Sequence, residues 1–331
     1  MSLVLPGDYA GLGRETVMLG NAPISFDAAT FEWWGALLHG GRLVMHLEAA
    51  DVGALMEGMR QAQVNTAWLT SGLFDVFVQQ LTQPLPALRY LLVGGDVVNP
   101  QSVQQMQQRH PALQVINGYG PTENTTFSTT WALGPVTADA GLPIGKPLPN
   151  RRCYVLNSQL QRVPVGVVGE LYVGGPCVSK GYLNQAALTA ERFVANAYPP
   201  GRPGFERLYR TGDLVRWLSN GHLEFIGRAD EQVKIRGFRV ELGEISAQLL
   251  QAADEAGQPW VRDAVVVAVG EDERRHLVAY VVADDEGVLG PLRQHLVQQL
   301  PDYMIPNAIQ VLSSLPLNAN GKVDKRALPE P

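Results

Sequence analysis

Residues 117–123, Asn-Gly-Tyr-Gly-Pro-Thr-Glu, put an aromatic ring, a hydroxyl and a carboxylate within five positions of a chain bent by two glycines and a proline. The segment follows the apolar Val115-Ile116, so it sits at the carboxyl end of a strand, where open α/β sheets hold ligands. A ring can stack on a base, a hydroxyl can meet phosphate, and a carboxylate is a hard oxygen ligand for Mg2+. The same residues also make an ordinary turn with a surface glutamate, and local chemistry leaves both readings open.

Three other segments carry weaker versions of the same choice. In residues 209–214, Tyr-Arg-Thr-Gly-Asp-Leu, Asp213 stands before a strand, where its carboxylate could accept both ribose hydroxyls; Gly-Asp there is also common turn chemistry. Residues 227–237, GRADEQVKIRG, are dense in opposite charges and read either as a solvated loop or as a charged hinge. Lys322 lies on a Gly-rich loop, either solvated or serving as a mobile cation for phosphate or carboxylate. Other chemistries fail on spacing. Residues 141–146 are too short for a P-loop, and Pro147 stands where Ser or Thr is needed. There is no GxSxG elbow, no HExxH and no CxxC pair, and the six scattered His read as structural or surface residues.

The elements that must position these residues alternate in the first half. Helical spacing runs over 29–38, 52–61 and 100–109, the last opened by Pro100 at the first turn. Strands are expected at 43–45, 64–69, 88–93 and 115–117, which indicates an α/β layer with a mostly parallel sheet. From about residue 141 the texture becomes β-rich, with strands at 153–156, 169–173, 214–218 and 222–226 and a two-residue Asn220-Gly221 hairpin. After Asp230 comes a compact α+β pattern: helices at 244–253 and 292–300, strands at 264–269, 276–282 and 309–312. The expected fold is therefore a partial α/β large subdomain with a β-rich portion, residues 1–229, followed by a small α+β C-terminal subdomain, residues 230–331.

Composition agrees. At about 100–200 residues per domain, 331 residues make roughly two domains. Charged residues make up 18%, below the usual ~25%, and 34 Gly and 23 Pro suit an ordered, loop-rich enzyme. A net charge of −6 without a basic stripe argues against nucleic-acid binding. No apolar run reaches the ~18 residues of a membrane span, and the start lacks signal-peptide character. Cys153 and Cys177 are too few for a disulfide scaffold, which points to a reducing, cytoplasmic setting.

Taken in order, these segments resemble the adenylation domain of non-ribosomal peptide synthetases, in the adenylate-forming superfamily. Residues 25–31 (SFDAATF), 117–123, 169–175 (GELYVGG), 181–184 (GYLN), 209–214, 227–244, 300–306 (LPDYMIP) and 320–325 (NGKVDK) follow successive family motifs over nearly the whole chain. The resemblance implies that an amino acid reacts with ATP to give aminoacyl-AMP and pyrophosphate. The aminoacyl group then passes to the phosphopantetheine thiol of a peptidyl carrier domain. It assigns Tyr119 to stacking on adenine, Gly120 to the nucleotide loop, Thr122 to phosphate, Glu123 to Mg2+, Asp213 to the ribose hydroxyls and Arg228 to the nucleotide's flank. Lys322 would bridge the substrate carboxylate and the α-phosphate, offsetting charge as the two anions meet. Asp230 matches the hinge, and Lys234 and Gly237 the loop that faces the thiolation side once the small domain has swung.

By the same resemblance, Asp27 pairs with the α-ammonium, which marks an α-amino acid and argues against an acyl-CoA synthetase. Ala28, Phe31, Trp68, Leu92, Gly94, Gly118, Thr126 and Phe127 map to the rest of the pocket. Three large rings shrink it, and Gly94 and Gly118 are expected to leave a small apolar space, a pattern similar to the family's valine pockets. Isoleucine differs by one methylene, worth only ~1–3 kcal/mol of discrimination. The family's phosphate loop with its Lys precedes the Asp27 motif and does not occur in these 331 residues. The chain is thus expected to be a fragment of a multidomain synthetase, lacking roughly the first third of a large subdomain. The alternative to catalysis is a fragment that retains nucleotide or partner binding only.

Overall fold

Strand alternation decides which residues face which layer. In the computed structural model, β1 (Val17–Gly20), β2 (Arg42–Met45), β3 (Thr66–Thr70), β4 (Tyr90–Gly94) and β5 (Gln114–Tyr119) run parallel in the order β2-β1-β3-β4-β5. The antiparallel β6 (Thr129–Ala132) and β7 (Lys146–Pro147) complete a seven-stranded sheet. Because side chains alternate with period two, Leu19, Leu69, Leu91, Val93 and Val115 join one core. Met18, Trp68, Leu92 and Ile116 join another on the opposite face. The first core lies under α2 (Val52–Gln61), α3 (Ser71–Gln80) and α4 (Pro100–Arg109), and the second takes in α1 (Ala28–Leu37). Side-chain caps fix where three helices begin. Asp51 accepts from Ala54 N at 2.9 Å, Thr70 from Leu73 N at 3.3 Å, and Asn99 from Gln101 N at 2.9 Å.

The structure describes residues 3–5, 8–46, 51–139, 141–198, 201, 203–230, 232–235, 238–254, 256–270, 275–316 and 323–330. The chain divides into two compact units, 1–229 and 230–331. Within the first, a second, antiparallel sheet follows: β8 (Arg152–Leu156), β9 (Gly169–Gly174), β10 (Phe193–Ala195), β11 (Arg207–Trp217) and β12 (Leu223–Arg228), with β10-β11-β9-β8 in order and β12 on β11. The short α5 (Ala186–Arg192) precedes β10. The 220–221 turn differs from the expected two-residue hairpin. Leu218 N bonds His222 O at 2.8 Å, so three residues form the loop, and of these only Gly221, at φ 77°, is left-handed.

The second unit is the expected small α+β fold. A hairpin of β13 (Val233–Ile235) and β14 (Phe238–Val240) leads to α6 (Leu242–Gln251). Then β15 (Asp263–Val269), β16 (His276–Val282), α7 (Leu289–Gln299) and β17 (Ala308–Leu312) follow, the strands forming a three-stranded sheet in order β15-β16-β17. Ile245, Leu249, Leu292 and Leu296 close its core against Leu277, Ala279 and Val281. Among the described residues no helix is long and apolar enough to cross a membrane.

The central strand β4 makes a direct test of this layering. Leu91 is fully buried in the helix-covered core, so Leu91→Ala is expected to lower the unfolding free energy by about 2–5 kcal/mol in denaturant titration. A loss below about 1 kcal/mol would contradict the assignment.

Candidate functional site

Sheet register builds the pocket wall. Trp68, Leu92 and Ile116 are paired neighbours on one rung, and Thr70, Gly94 and Gly118 are paired two residues further on, on the same face. Ala28 and Phe31 of α1 and Phe127 after β5 join Trp68 and Leu92 in one cluster. The Phe31 and Phe127 rings meet edge to face at 5.4 Å. The glycines do not leave the space expected of them. A Cβ on Gly94 would lie 2.0 Å from the Gly118 carbonyl oxygen, and one on Gly118 would lie 2.8 Å from the Phe127 ring. Their service is close approach of backbone and ring.

Beyond Gly120, residues 122–127 turn back sharply. Thr122–Asn124 is a 3-10 turn, after which Thr125 and Thr126 both take left-handed backbone, at φ 57° and 60°. Two successive β-branched residues there are strained by roughly 1–3 kcal/mol each. The surroundings hold them in place. Thr126 N donates to the Asp27 carboxylate at 3.0 Å, and Thr126 Oγ1 to the Asp27 carbonyl at 2.8 Å. Thr125 Oγ1 donates to Cys177 O at 3.0 Å, and the Arg151 guanidinium donates to the carbonyls of Asn124 and Thr125. Asp27 itself occupies the N-cap of α1, the positive end of the helix. Burial pushes its carboxyl above the usual range and the nearby Glu123 charge adds to this, while Thr122, Thr126 and Ala28 hydrogen bonds oppose both.

The other end of the turn carries Glu123. Its carboxylate accepts from Tyr182 Oη at 2.6 Å and Tyr209 Oη at 2.8 Å, and the two hydroxyls lie 3.2 Å apart. Burial, then the Glu123 contact, hold the Tyr182 hydroxyl far above its usual range, so it stays a donor. A second carboxylate, Asp213, sits between Tyr119 and Arg228. Tyr119 Oη donates to one oxygen, and Arg228 Nη1 lies 2.7 Å from the other. Register explains the pair: Asp213 and Arg228 are cross-strand partners on β11 and β12. Burial and the Asp213 charge keep the Tyr119 hydroxyl well above its ordinary value.

Thus Asp27, Thr122, Glu123, Thr126 and Phe127 come together around one turn, and Tyr119, Asp213 and Arg228 around a second carboxylate. Gly120 links the two groups, since it joins Tyr119 to the turn. Asp230 opens the second unit and its carboxylate accepts from Gln232 N at 3.3 Å; Lys234 pairs with Arg239 across the β13–β14 hairpin. Lys322 and Gly237 lie outside the described residues. No cluster of three or more His, Cys, Asp or Glu forms a metal cage among the described residues. A lone carboxylate such as Glu123 suits Mg2+, which is usually held by one or two carboxylates together with phosphate oxygens and water.

Tyr182 and Tyr209 stand out in the sequence only as parts of motifs, and Glu32 and Arg151 do not stand out at all. Glu32 is fully buried on α1, directly after Phe31, and accepts from the backbone N–H groups of Asn21 (3.1 Å) and Ala22 (3.0 Å) at the end of β1. A Glu inside the apolar pattern of a helix is the available signal.

The model of a family described as AMP-binding enzyme matches residues 2–183, and that of the AMP-binding enzyme C-terminal domain matches residues 256–322. A linear gramicidin synthase of Brevibacillus parabrevis is 49% identical over 97% of this chain, which spans 4% of that protein. Tyrocidine synthase 3 of the same organism is 43% identical over 99% of this chain, which spans 5% of it. Among solved structures, holo-PA1221, an NRPS protein containing adenylation and PCP domains bound to a vinylsulfonamide inhibitor, superposes with a TM-score of 0.84 at 34% identity. The match covers 98% of this chain and 55% of that one.

Glu32 supplies a pH test of the pocket wall. Burial raises its carboxyl to about 7, although the Ala22 and Asn21 amides favour the charged form. A raised carboxyl contributes stability that is present below its unfolded value, near 4.5, and is lost as pH rises through about 7. Between about pH 5 and 8 the wild-type chain should therefore lose about 2–3 kcal/mol of unfolding free energy relative to Glu32→Gln. Parallel pH profiles for the two proteins would contradict the assignment.

Proposed function

Because this chain belongs to the AMP-binding enzyme family, we propose that it activates an α-amino acid by adenylation for non-ribosomal peptide synthesis, with L-valine as substrate. One observation carries the reading: a single strained turn presents Thr126 to the Asp27 carboxylate at one end and Glu123 to its two tyrosines at the other. An ammonium held at Asp27 and a phosphate held near Thr122 and Glu123 would place a carboxylate and an α-phosphorus side by side. Positioning of this kind is the main contribution a protein makes to such a transfer.

In the reaction so read, a carboxylate oxygen of the amino acid attacks the α-phosphorus and the bond to the β-phosphate breaks, releasing pyrophosphate. Tyr119 lies against the base, and Asp213, oriented by Tyr119 and Arg228, accepts from the ribose hydroxyls. Bound at Glu123, Mg2+ would offset phosphate charge. Lys322 is proposed, from its motif, as the cation between carboxylate and phosphate. In the second step a phosphopantetheine thiol attacks the carbonyl, a thioester forms and AMP leaves. A peptidyl carrier domain, such as the PCP domain of the PA1221 protein, would supply that thiol. Residues 230–331 are proposed to swing about Asp230 between the steps and to turn Lys234 and Gly237 toward the thiol, with the reaction taking place in the cytoplasm.

The apolar, ring-rich lining supports the valine reading. Phe31, Trp68 and Phe127 wall the pocket, the glycine positions are filled by backbone and ring, and Asp27 is the charged member of the described set. In ATP–pyrophosphate exchange across a panel of amino acids, valine should be the best substrate, with isoleucine closest behind. Asp27→Asn should lower valine-dependent kcat/KM by about 100-fold, as expected when one partner of a buried charge pair is removed. Exchange driven best by an aromatic or acidic amino acid would sink the valine assignment. Failure of every amino acid, together with failure to bind AMP, would sink the activity.

A further inference from the structure

Arg151, the residue before β8, is fully buried, yet among the described residues it forms no ion pair. Taking a guanidinium out of water is costly, and a buried cation without a carboxylate is rare. Its hydrogen bonds show where that cost is recovered. Nη1 donates to the Asn124 carbonyl and Nη2 to the Thr125 carbonyl, at 3.0 Å for the second, so one planar group grips two successive peptide units. Those units lead into Thr125 and Thr126, the two threonines at positive φ. Thr126 then meets Asp27 twice, through its N–H at 3.0 Å and its hydroxyl at 2.8 Å. Arg151 therefore lies two residues from the carboxylate along a hydrogen-bonded chain, while touching neither Asp27 nor the Asp213 group.

We propose that Arg151 is a positioning residue for the amino-acid end of the site: its two-pronged grip holds the left-handed Thr125-Thr126 turn so that Thr126 fixes the Asp27 carboxylate for recognition of an α-ammonium. The inference rests on the amino-acid reading given above. It differs from a purely structural role in what should be lost. A packing residue would weaken the whole site when changed. A clamp on this turn would weaken discrimination for the amine and leave affinity for the adenosine part intact, because Tyr119, Asp213 and Arg228 are held by bonds of their own. Lysine cannot replace the clamp, since an ammonium is a point donor that does not span two carbonyls in a fixed fork.

The test is titration calorimetry on the full chain with three ligands: a non-hydrolysable valyl sulfamoyl adenosine, its desamino counterpart and adenosine. The wild-type chain should favour the amine-bearing compound. Arg151→Met and Arg151→Lys should each shrink that preference about tenfold, a change of about 1.4 kcal/mol, and change the adenosine dissociation constant by less than about twofold. Circular dichroism checks that each variant is folded, and the lysine variant, which keeps the charge and the apolar stem, carries the test if the methionine variant is not. Variants that keep the wild-type preference overturn the inference. So does a proportional loss of affinity for all three ligands, which is the mark of a structural role. A wild-type chain that binds adenosine but shows no preference for the amine overturns the amino-acid reading, and the role of Arg151 falls with it.

Discussion

One end of the proposed site depends on the backbone of a single turn. Thr125 and Thr126 both adopt a conformation that β-branched residues avoid, and the local bond from Thr125 N to Thr122 O, at 3.0 Å, reaches only the first of them. The conformation persists because contacts from distant parts of the sequence over-determine it: Asp27 from α1, Cys177 after β9, and Arg151 before β8. Strain held in this way is rigid, and rigidity is what a site needs if two reacting groups are to meet at a fixed separation. The turn also accounts for the glycine before it on β5. Gly118 leaves room for the Phe127 ring to fold back over the sheet, so the turn that aligns Asp27 also closes the apolar pocket.

Electrostatics follow the same division. Asp27 and Glu123 stand close enough for each charge to oppose the other, and Asp27 is partly withdrawn from water. An arriving ammonium would relieve both penalties at once, which supports the proposed recognition of a ligand that brings its own cation. Asp213 faces the opposite situation. Its two oxygens are already engaged by Tyr119 and Arg228, so its orientation is fixed before any ligand arrives. One carboxylate awaits a charge and the other is already neutralised, which matches recognition of an ammonium at the first and hydroxyls at the second.

Much of this is legible in the sequence, because period-two patterning and short motifs are local. The family resemblance groups Trp68 with Leu92, and the loop at 117–123 announces itself by composition. What is not legible depends on long-range contacts. Tyr182 and Tyr209 reach Glu123 across 59 and 86 residues, and no spacing rule relates them. Arg151 follows a proline–asparagine turn and reads as a solvated cation until its burial is seen. Helix α3 escapes the sequence pattern because Ser71 and Gly72 at its start look like a loop, whereas the Thr70 cap and the burial of Phe74, Phe77 and Val78 hold it in place. The Asn220-Gly221 pair suggests a tighter hairpin than forms, since only Gly221 takes the left-handed conformation there.

One turn is proposed to hold both the ammonium and the phosphate of a single adenylate. A crystal structure of this chain with a non-hydrolysable valyl adenylate mimic tests it most directly. The account places the ammonium on the Asp27 carboxylate, the ribose hydroxyls on Asp213 and the phosphate mimic beside Thr122, all in one molecule, with the Thr125-Thr126 backbone unchanged. A ligand seated with its ammonium away from Asp27, or a turn that rearranges to admit it, would contradict the account.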